Sequence, residues 1–290
     1  MGLRINQNIA AMNAYRNLSV TDGQQAKSLE KLASGFRINR AADDAAGLAI
    51  SEGLRSQIGG LKVAARNSQD AISVIQTAEG ALTETHSILQ RMRDLTVQAS
   101  NAGANDTNSQ AALQTEANAL GKELDRISGK TTFNGVELLD GAYDGTFQVG
   151  YASSDTIAVA INADIDNDTT TAGVAFDAQA LLVGEDDGAG NTKALDLTAT
   201  GTLDAIDNAI KAVSSSRANL GAMQNRFEHV VNSVNISIEN LSASESRIRD
   251  TDMAQEMTAF TRSQILTQAG TAMLAQANSA PQGVLSLLRG

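Results

Sequence analysis

Three aspartates in the middle of the chain have the spacing of a calcium-binding loop. Asp164, Asp166 and Asp168 match the first, third and fifth positions of such a loop, where carboxylate oxygens bind the ion. The sixth position requires glycine and the twelfth requires a bidentate acid, but Thr169 and Ala175 stand there. We therefore interpret the three aspartates as a solvated acidic turn and predict no metal site there.

The other residues that could do chemistry do not form a known constellation. His86 and His229 are the two histidines, the chain has no cysteine, and neither histidine lies in an HExxH motif. No glycine-rich phosphate loop and no serine elbow is present. We predict no catalytic residue, no cofactor and no metal. An enzyme with its chemistry in residues 162–201 is the alternative from another class, but no His, Cys and Ser residues converge in that segment.

The composition of the chain argues against a thick, aromatic core. Only 3% of the 290 residues are aromatic, and there is no tryptophan and one proline. Small and branched apolar residues instead suit thin seams between closely packed helices. The net charge is −11, and residues 137–207 hold fourteen Asp or Glu against one Lys. This acidic balance argues against a nucleic-acid partner.

No segment of the sequence has the pattern of a membrane or signal segment. The start MGLRINQNIAAMNAYRN lacks the basic and apolar regions of a signal peptide. No apolar run approaches the ~18 residues that cross a bilayer. We expect no membrane partner, and we expect an export route other than signal-peptide secretion if the protein works outside the cell.

Two heptad patterns predict long helices that pack on each other. One seven-residue step runs from Ile206 to Ile248, and a matching step runs from Leu54 to Leu89, interrupted at Ser68. Each apolar stripe needs a partner, so we predict a mainly α fold in which the N- and C-terminal halves form a long antiparallel helical rod or coiled coil. The predicted rod seam is Leu54, Leu61, Ile75, Leu82, Leu89, Ile206, Val213, Leu220, Phe227, Val234, Leu241 and Ile248.

The seams predict long helices over residues 44–100 and 202–250, with a shorter helix over 109–127. The period changes to two after Thr131, which predicts a small β-hairpin patch in the middle of the chain. Residues 162–201 contain only short apolar pieces, so we expect an exposed excursion of low structural content. The two ends, 1–42 and 253–290, are helices of modest apolarity.

Both ends of the chain contain long, distinctive motifs. The N-terminal motifs are LASGFRINRAADDAAGLAISEGLRSQI, ARNSQDAISVIQTAEGAL, LQRMRDLTVQASN and ISGKTTFNGVELLDG, and the C-terminal ones are RIRDTDMAQEM and ILTQAGTAMLAQANSAPQGVLSLLRG. In sequence and order, these motifs resemble those of the bacterial flagellins. The resemblance implies a structural subunit that self-assembles into the helical tube of the flagellar filament for swimming. The hook–filament junction protein of the same superfamily is the nearer alternative.

The resemblance also implies a division into domains. Residues 1–42 with 253–290 correspond to the D0-like helices of the filament core, and residues 43–162 with 202–252 correspond to the D1-like helical rod with its β patch. Residues 163–201 are left as a short acidic excursion, so the outer domain is reduced or absent. The residues expected to assemble the filament core are Ile5, Ile9, Met12, Leu29, Leu32, Met257, Phe260, Leu266, Leu274, Leu285 and Leu288.

The terminal helices present little partner surface, so we expect them to be disordered in the free subunit and to fold on assembly. The resemblance further implies several partners: other copies of the chain, the flagellar type III export apparatus, an export chaperone, and the filament cap and hook-junction proteins. It places the protein outside the cell, in the flagellar filament.

A host partner is implied by the same resemblance. Some flagellins are sensed by an animal Toll-like receptor through an Arg and a Leu on the long helix and a Glu on the next helix. The motifs LQRMRDL and LQTEA place these residues at Arg91, Leu95 and Glu116. The alternative is that the three residues serve only as a contact between filament subunits.

Overall fold

The computed structural model describes residues 8–101, 106–162, 175–182, 197, 199 and 201–289. The described chain is mainly helical, with two small antiparallel strand pairs in the middle, as the sequence predicted. The helices are α1 (Ile9–Ser34), α2 (Ala45–Ala99), α3 (Thr107–Lys130), α4 (Ala178–Leu182), α5 (Thr202–Arg249) and α6 (Met253–Arg289). The strands are β1 (Thr132–Phe133), β2 (Val136–Glu137), β3 (Tyr143–Gln148) and β4 (Thr156–Ile161).

Polar side chains and one glycine set several helix ends. The Asn8 carboxamide oxygen accepts a hydrogen bond from the Ala11 N–H at 3.1 Å, and the Asp106 carboxylate accepts one from the Ser109 N–H at 2.8 Å. Both satisfy amides that have no partner within the first turn of a helix. Helix α1 ends at Gly35, whose φ of 74° suits glycine and a left-handed cap. The first helix therefore ends at residue 34, earlier than the predicted end at residue 42.

Each strand pair is an antiparallel hairpin. β1 pairs with β2 through Thr132–Glu137 and Phe133–Val136. β3 pairs with β4 from Tyr143–Ile161 to Gln148–Thr156. Along β4 the side chains of Ile157, Val159 and Ile161 are buried while their neighbours are exposed, which is the alternation expected of a half-buried strand.

The contacts divide the chain into two compact units. The terminal unit contains residues 1–58 and 239–290, and the central unit contains residues 59–238. Both boundaries fall inside helices α2 and α5. The domain boundaries that we predicted from the sequence instead follow helix ends, and they remain a prediction.

The core of the central unit lies between α2, α5 and the β3–β4 hairpin. Arg93 pairs with Asp207 at 2.7 Å and Arg217 pairs with Glu79 at 3.7 Å, so residue numbers rise on α2 as they fall on α5. The two helices are therefore antiparallel in this unit. Phe227 is fully buried, and its ring meets the ring of Phe147 from β3 edge to face at 5.8 Å.

The middle segment contributes to this core, contrary to the exposed excursion that we predicted. Phe176, Leu181 and Leu182 are each at most 6% exposed and pack in the main cluster of the central unit. The Phe176 N–H donates to the Leu139 carbonyl at 3.0 Å. Leu197 is 2% exposed and packs in a second cluster. The prediction missed these residues because each apolar piece is too short to show a period.

Candidate assembly surface

Helices α1 and α6 of the terminal unit pack against each other in antiparallel orientation. The Asn8 side-chain amide donates to the Ala277 carbonyl at 2.7 Å near one end of α1. The Lys31 ammonium lies 3.9 Å from the Glu256 carboxylate near the other end. We had expected the terminal helices to find partners only in neighbouring subunits, but the structure pairs them within one chain.

The inward face of this pair combines many small and polar residues with a few large apolar ones. On α1 the side chains of Ala11, Thr21, Gln25 and Ser28 are buried or half-buried. A side chain added at Gly270 of α6 would place its Cβ 3.2 Å from Leu18, so the absence of a side chain permits the close approach. Such a face removes less apolar area from water than a continuous stripe of large apolar side chains would.

The outward faces of the same helices carry large apolar side chains. Their exposed fractions lie between 48% and 65%. The exposed residues are Ile9, Met12, Tyr15, Val20, Leu29, Met253, Met257, Ile265, Leu266 and Met273. We call this set the outward face. Five of its members, Tyr15, Val20, Met253, Ile265 and Met273, were missed by the sequence analysis.

The predicted filament-core residues divide by exposure. Ile9, Met12, Leu29, Met257 and Leu266 are exposed. The half-buried members are Leu32, Phe260 and Leu274. Ile5 and the side chains of Leu285 and Leu288 lie outside the described part of the structure. The five missed residues extend the same surface. The i, i+4 spacing of Met253 and Met257 is the sequence signal that could have identified Met253.

Two shallow apolar grooves lie on this surface. One, of about 670 Å³, is lined by Met12, Tyr15 and Val20 of α1 together with Leu274 of α6, besides polar and small residues. The other, of about 510 Å³, lies along α6 and includes Met257, Ile265 and Leu266. Exposed apolar patches of this kind are typical of surfaces that contact other proteins.

A dense set of contacts joins the four helix ends within the terminal unit. Phe36 and Asp250 form an isolated antiparallel bridge, and the Arg37 N–H donates to the Arg249 carbonyl at 2.7 Å. The Arg249 guanidinium stacks 4.7 Å from the centre of the Phe36 ring and bonds the Glu52 carboxylate at 3.0 Å. The turn after α1 is thereby fixed to the turn before α6.

The predicted seam residues are more deeply buried in the central unit than in the terminal unit. All seam residues of the central unit are buried. They are Leu61, Ile75, Leu82, Leu89, Ile206, Val213, Leu220, Phe227 and Val234. The remaining three, Leu54, Leu241 and Ile248, belong to the terminal unit and are half-buried. Ser68, which interrupts the heptad, is fully buried and donates its hydroxyl to the Ala64 carbonyl at 2.9 Å. A polar residue is tolerated in the seam because its hydroxyl is paired.

The three residues matched to the receptor motif lie close together but differ in exposure. The Arg91 guanidinium and the Glu116 carboxylate form an exposed ion pair at 2.6 Å between α2 and α3. Leu95 is fully buried in the cluster that contains Ala117 and Leu197. In the structure, Leu95 supports the helices that carry the pair.

Within the described ranges, no three His, Asp or Glu residues are arranged to hold a metal ion. Asp164, Asp166 and Asp168 lie outside those ranges. None of the described helices is long and apolar enough to cross a membrane.

Comparison with known proteins gives a consistent family assignment. The bacterial flagellin N-terminal helical region matches residues 5–144, and the bacterial flagellin C-terminal helical region matches residues 203–288. A flagellin of Bacillus subtilis is 50% identical, with 99% of this chain and 100% of the relative covered. The flagellar filament 33 kDa core protein of Treponema phagedenis is 45% identical, with 98% of this chain and 99% of the relative covered.

A solved structure of a putative flagellar hook-associated protein from Vibrio parahaemolyticus shares 14% identity and a TM-score of 0.55, and covers 72% of this chain and 100% of that chain. This likeness shows the fold alone. The two matched regions and the near-complete alignment with the relatives show the family. The chain belongs to the bacterial flagellin family and is a structural subunit of the flagellar filament.

Proposed function

We propose that the chain polymerises by burying the outward face of α1 and α6 against neighbouring subunits. The observation that carries this proposal is the sidedness of the pair. The inward face is buried within one chain, while the ten large apolar side chains of the outward face stay exposed, Val20 by 57% and Leu266 by 49%. Burial of an apolar side chain of this size typically stabilises a contact by about 1.5–3 kcal/mol.

The two helices offer different surfaces, which suits an open polymer. A helical filament needs a heterologous contact, in which one patch of a subunit meets a different patch of the next. On the α1 side, the outward face includes Tyr15, Val20 and Leu29. On the α6 side it includes a different set of side chains, among them Met257 and Ile265. Contact between unlike patches propagates without closing into a dimer.

Charge substitutions on the outward face test this proposal. We expect Val20→Asp and Leu266→Asp to raise the critical concentration for salt-induced polymerisation, measured by sedimentation, because a charge would be buried without a partner. The monomer should keep its stability within about 0.5 kcal/mol, since both positions are exposed in the single chain. Val136→Asp, at a 54% exposed position of the central unit, is the matched control. Normal polymerisation of both variants would contradict the assignment of the surface.

For export, we propose the flagellar type III apparatus, a chaperone, and the cap and hook-junction proteins as partners, with an extracellular destination. Membership of the flagellin family supports this route. The test is the amount of the chain in the culture medium of cells with and without a working export apparatus. Equal amounts in both would contradict the proposed route.

For the host, we propose that a Toll-like receptor binds the free subunit at the exposed Arg91–Glu116 pair, with Leu95 positioning the two helices from beneath. Arg91→Ala should reduce receptor signalling in a reporter cell assay. Arg126→Ala is the matched control, because Arg126 forms an exposed pair with Glu123 at 2.5 Å on the same helix as Glu116. Equal signalling by the Arg91→Ala variant and the unchanged chain would overturn the proposal.

A further inference from the structure

The methionines in the described part of the chain fall into two groups by exposure. Met92 is fully buried, and Met223 packs against the same core of the central unit. The exposed group consists of Met12, Met253, Met257 and Met273, whose exposed fractions are 62%, 48%, 50% and 64%. All four lie on α1 or α6 of the terminal unit.

Two of the exposed thioethers line the apolar grooves of the outward face. Met12 lines the groove that also contains Tyr15 and Leu274. Met257 lines the second groove, beside Ile265 and Leu266. A thioether suits such a surface because it is flexible and polarisable and adapts to the shape of a partner. It is also the one apolar side chain that a mild oxidant converts into a polar one.

We propose that Met12, Met253, Met257 and Met273 form a reversible oxidation site that controls polymerisation. The oxidant is a peroxide, which transfers one oxygen atom to the thioether. The sulfur loses two electrons, the peroxide O–O bond breaks, an S=O bond forms, and water leaves when the peroxide is hydrogen peroxide. Thiol-dependent sulfoxide reductases reverse the step, as two thiols become a disulfide and the oxygen leaves as water.

The effect on assembly follows from burial, and this step rests on the proposed function. In the free chain a sulfoxide on the outward face is solvated, so it lowers the free energy of unfolding little. In the polymer the same S=O group is removed from water on a largely apolar surface, so it loses its hydration. Oxidation therefore opposes polymerisation and leaves the single chain intact. Once the face is covered by a neighbour, the thioethers are shielded from the oxidant.

The experiment uses the full chain and hydrogen peroxide. Monomer is oxidised, sulfoxide is mapped by mass spectrometry of peptides, and the critical concentration for salt-induced polymerisation is measured. We expect sulfoxide at the four exposed positions before Met92, and a rise in critical concentration of about tenfold or more, as burial of unpaired polar groups requires. Treatment with methionine sulfoxide reductases should restore polymerisation. In preformed filaments, peroxide should oxidise the methionines at these positions far more slowly than in monomer.

A quadruple variant, with Met→Leu at positions 12, 253, 257 and 273, separates these thioethers from the rest of the chain. Leu keeps the apolar volume and cannot form a sulfoxide, so this variant should polymerise before and after peroxide. Met92→Leu is the matched control. It removes a buried thioether, and its polymerisation should remain as sensitive to peroxide as that of the unchanged chain.

Three results would overturn the proposal. The first is normal polymerisation of monomer that carries sulfoxide at all four positions. The second is a loss of polymerisation by the peroxide-treated quadruple variant as large as that of the unchanged chain, and the third is failure of the reductases to restore polymerisation. If the quadruple variant does not polymerise at all, the reductase result alone decides. Equal oxidation of monomer and filament would instead contradict burial of the outward face, and so the proposed assembly surface.

Discussion

At the residue scale, Phe227 shows what a heptad pattern reveals about the core of the central unit and what it leaves out. Its side chain is fully buried and meets Phe147 from a strand that is distant in sequence. The seven-residue step identifies Phe227 as a seam position because every seventh residue of a long helix returns to nearly the same face. The partner ring from β3 could not be predicted from that step.

We expect Phe227→Asp to destabilise the monomer by at least about 4 kcal/mol, since it removes a buried aromatic ring and buries an unpaired charge. The measurement is urea unfolding followed by circular dichroism under conditions without polymerisation. Ile236→Asp is the control on the same helix, because Ile236 is 60% exposed. A Phe227→Asp chain as stable as the control would remove the basis for placing Phe227 in the core.

At the scale of elements, polar caps fix where α3 begins. Hydrogen bonds from the hydroxyl and the backbone N–H of Ser109 lower the pKa of the Asp106 carboxyl below its ordinary value. A carboxylate with a lowered pKa in the folded chain stabilises the fold at any pH above its unfolded pKa. This stabilisation is lost as the pH falls through the folded pKa.

Asp106→Asn keeps the capping oxygen and removes the titration. We expect the difference in free energy of unfolding between the two chains to stay constant above about pH 5 and to shrink as the pH falls below about 4, near the unfolded pKa of Asp. Thermal unfolding at a series of pH values measures this difference in the free energy of unfolding. A pH-independent difference for Asp106→Asn would count against the cap.

Helix positions were predicted more accurately than packing between elements. The predicted limits of α2 and α5 differ from the observed ones by at most one residue, because long periodic runs and clear breaks mark them. Leu197 and Phe176 were missed, since their burial depends on contacts with α3 and the β hairpins rather than on a local period. Ala11, Thr21, Gln25 and Ser28 of the inward face of α1 were missed because small and polar residues give no apolar stripe.

At the scale of the whole molecule, we expect the two units to respond differently to truncation. The core of the central unit is drawn from residues within 59–238. Removing residues 253–290 leaves α1 without its partner and removes half of the outward face. We expect polymerisation to be abolished while the central unit keeps its unfolding midpoint, measured by calorimetry. A large fall in that midpoint would show that the central unit depends on α6.

Because the outward face of the α1–α6 pair binds neighbouring subunits, the stability of the pair also depends on subunit concentration. A neighbouring subunit that binds the ordered helices and not the disordered ones acts as a stabilising ligand, and its effect grows with the logarithm of free subunit concentration. The melting temperature of the terminal unit in filaments should therefore rise with total protein, whereas that of the central unit should not. Dilution alone is then enough to loosen the ends of the chain, without any change in temperature, pH or sequence.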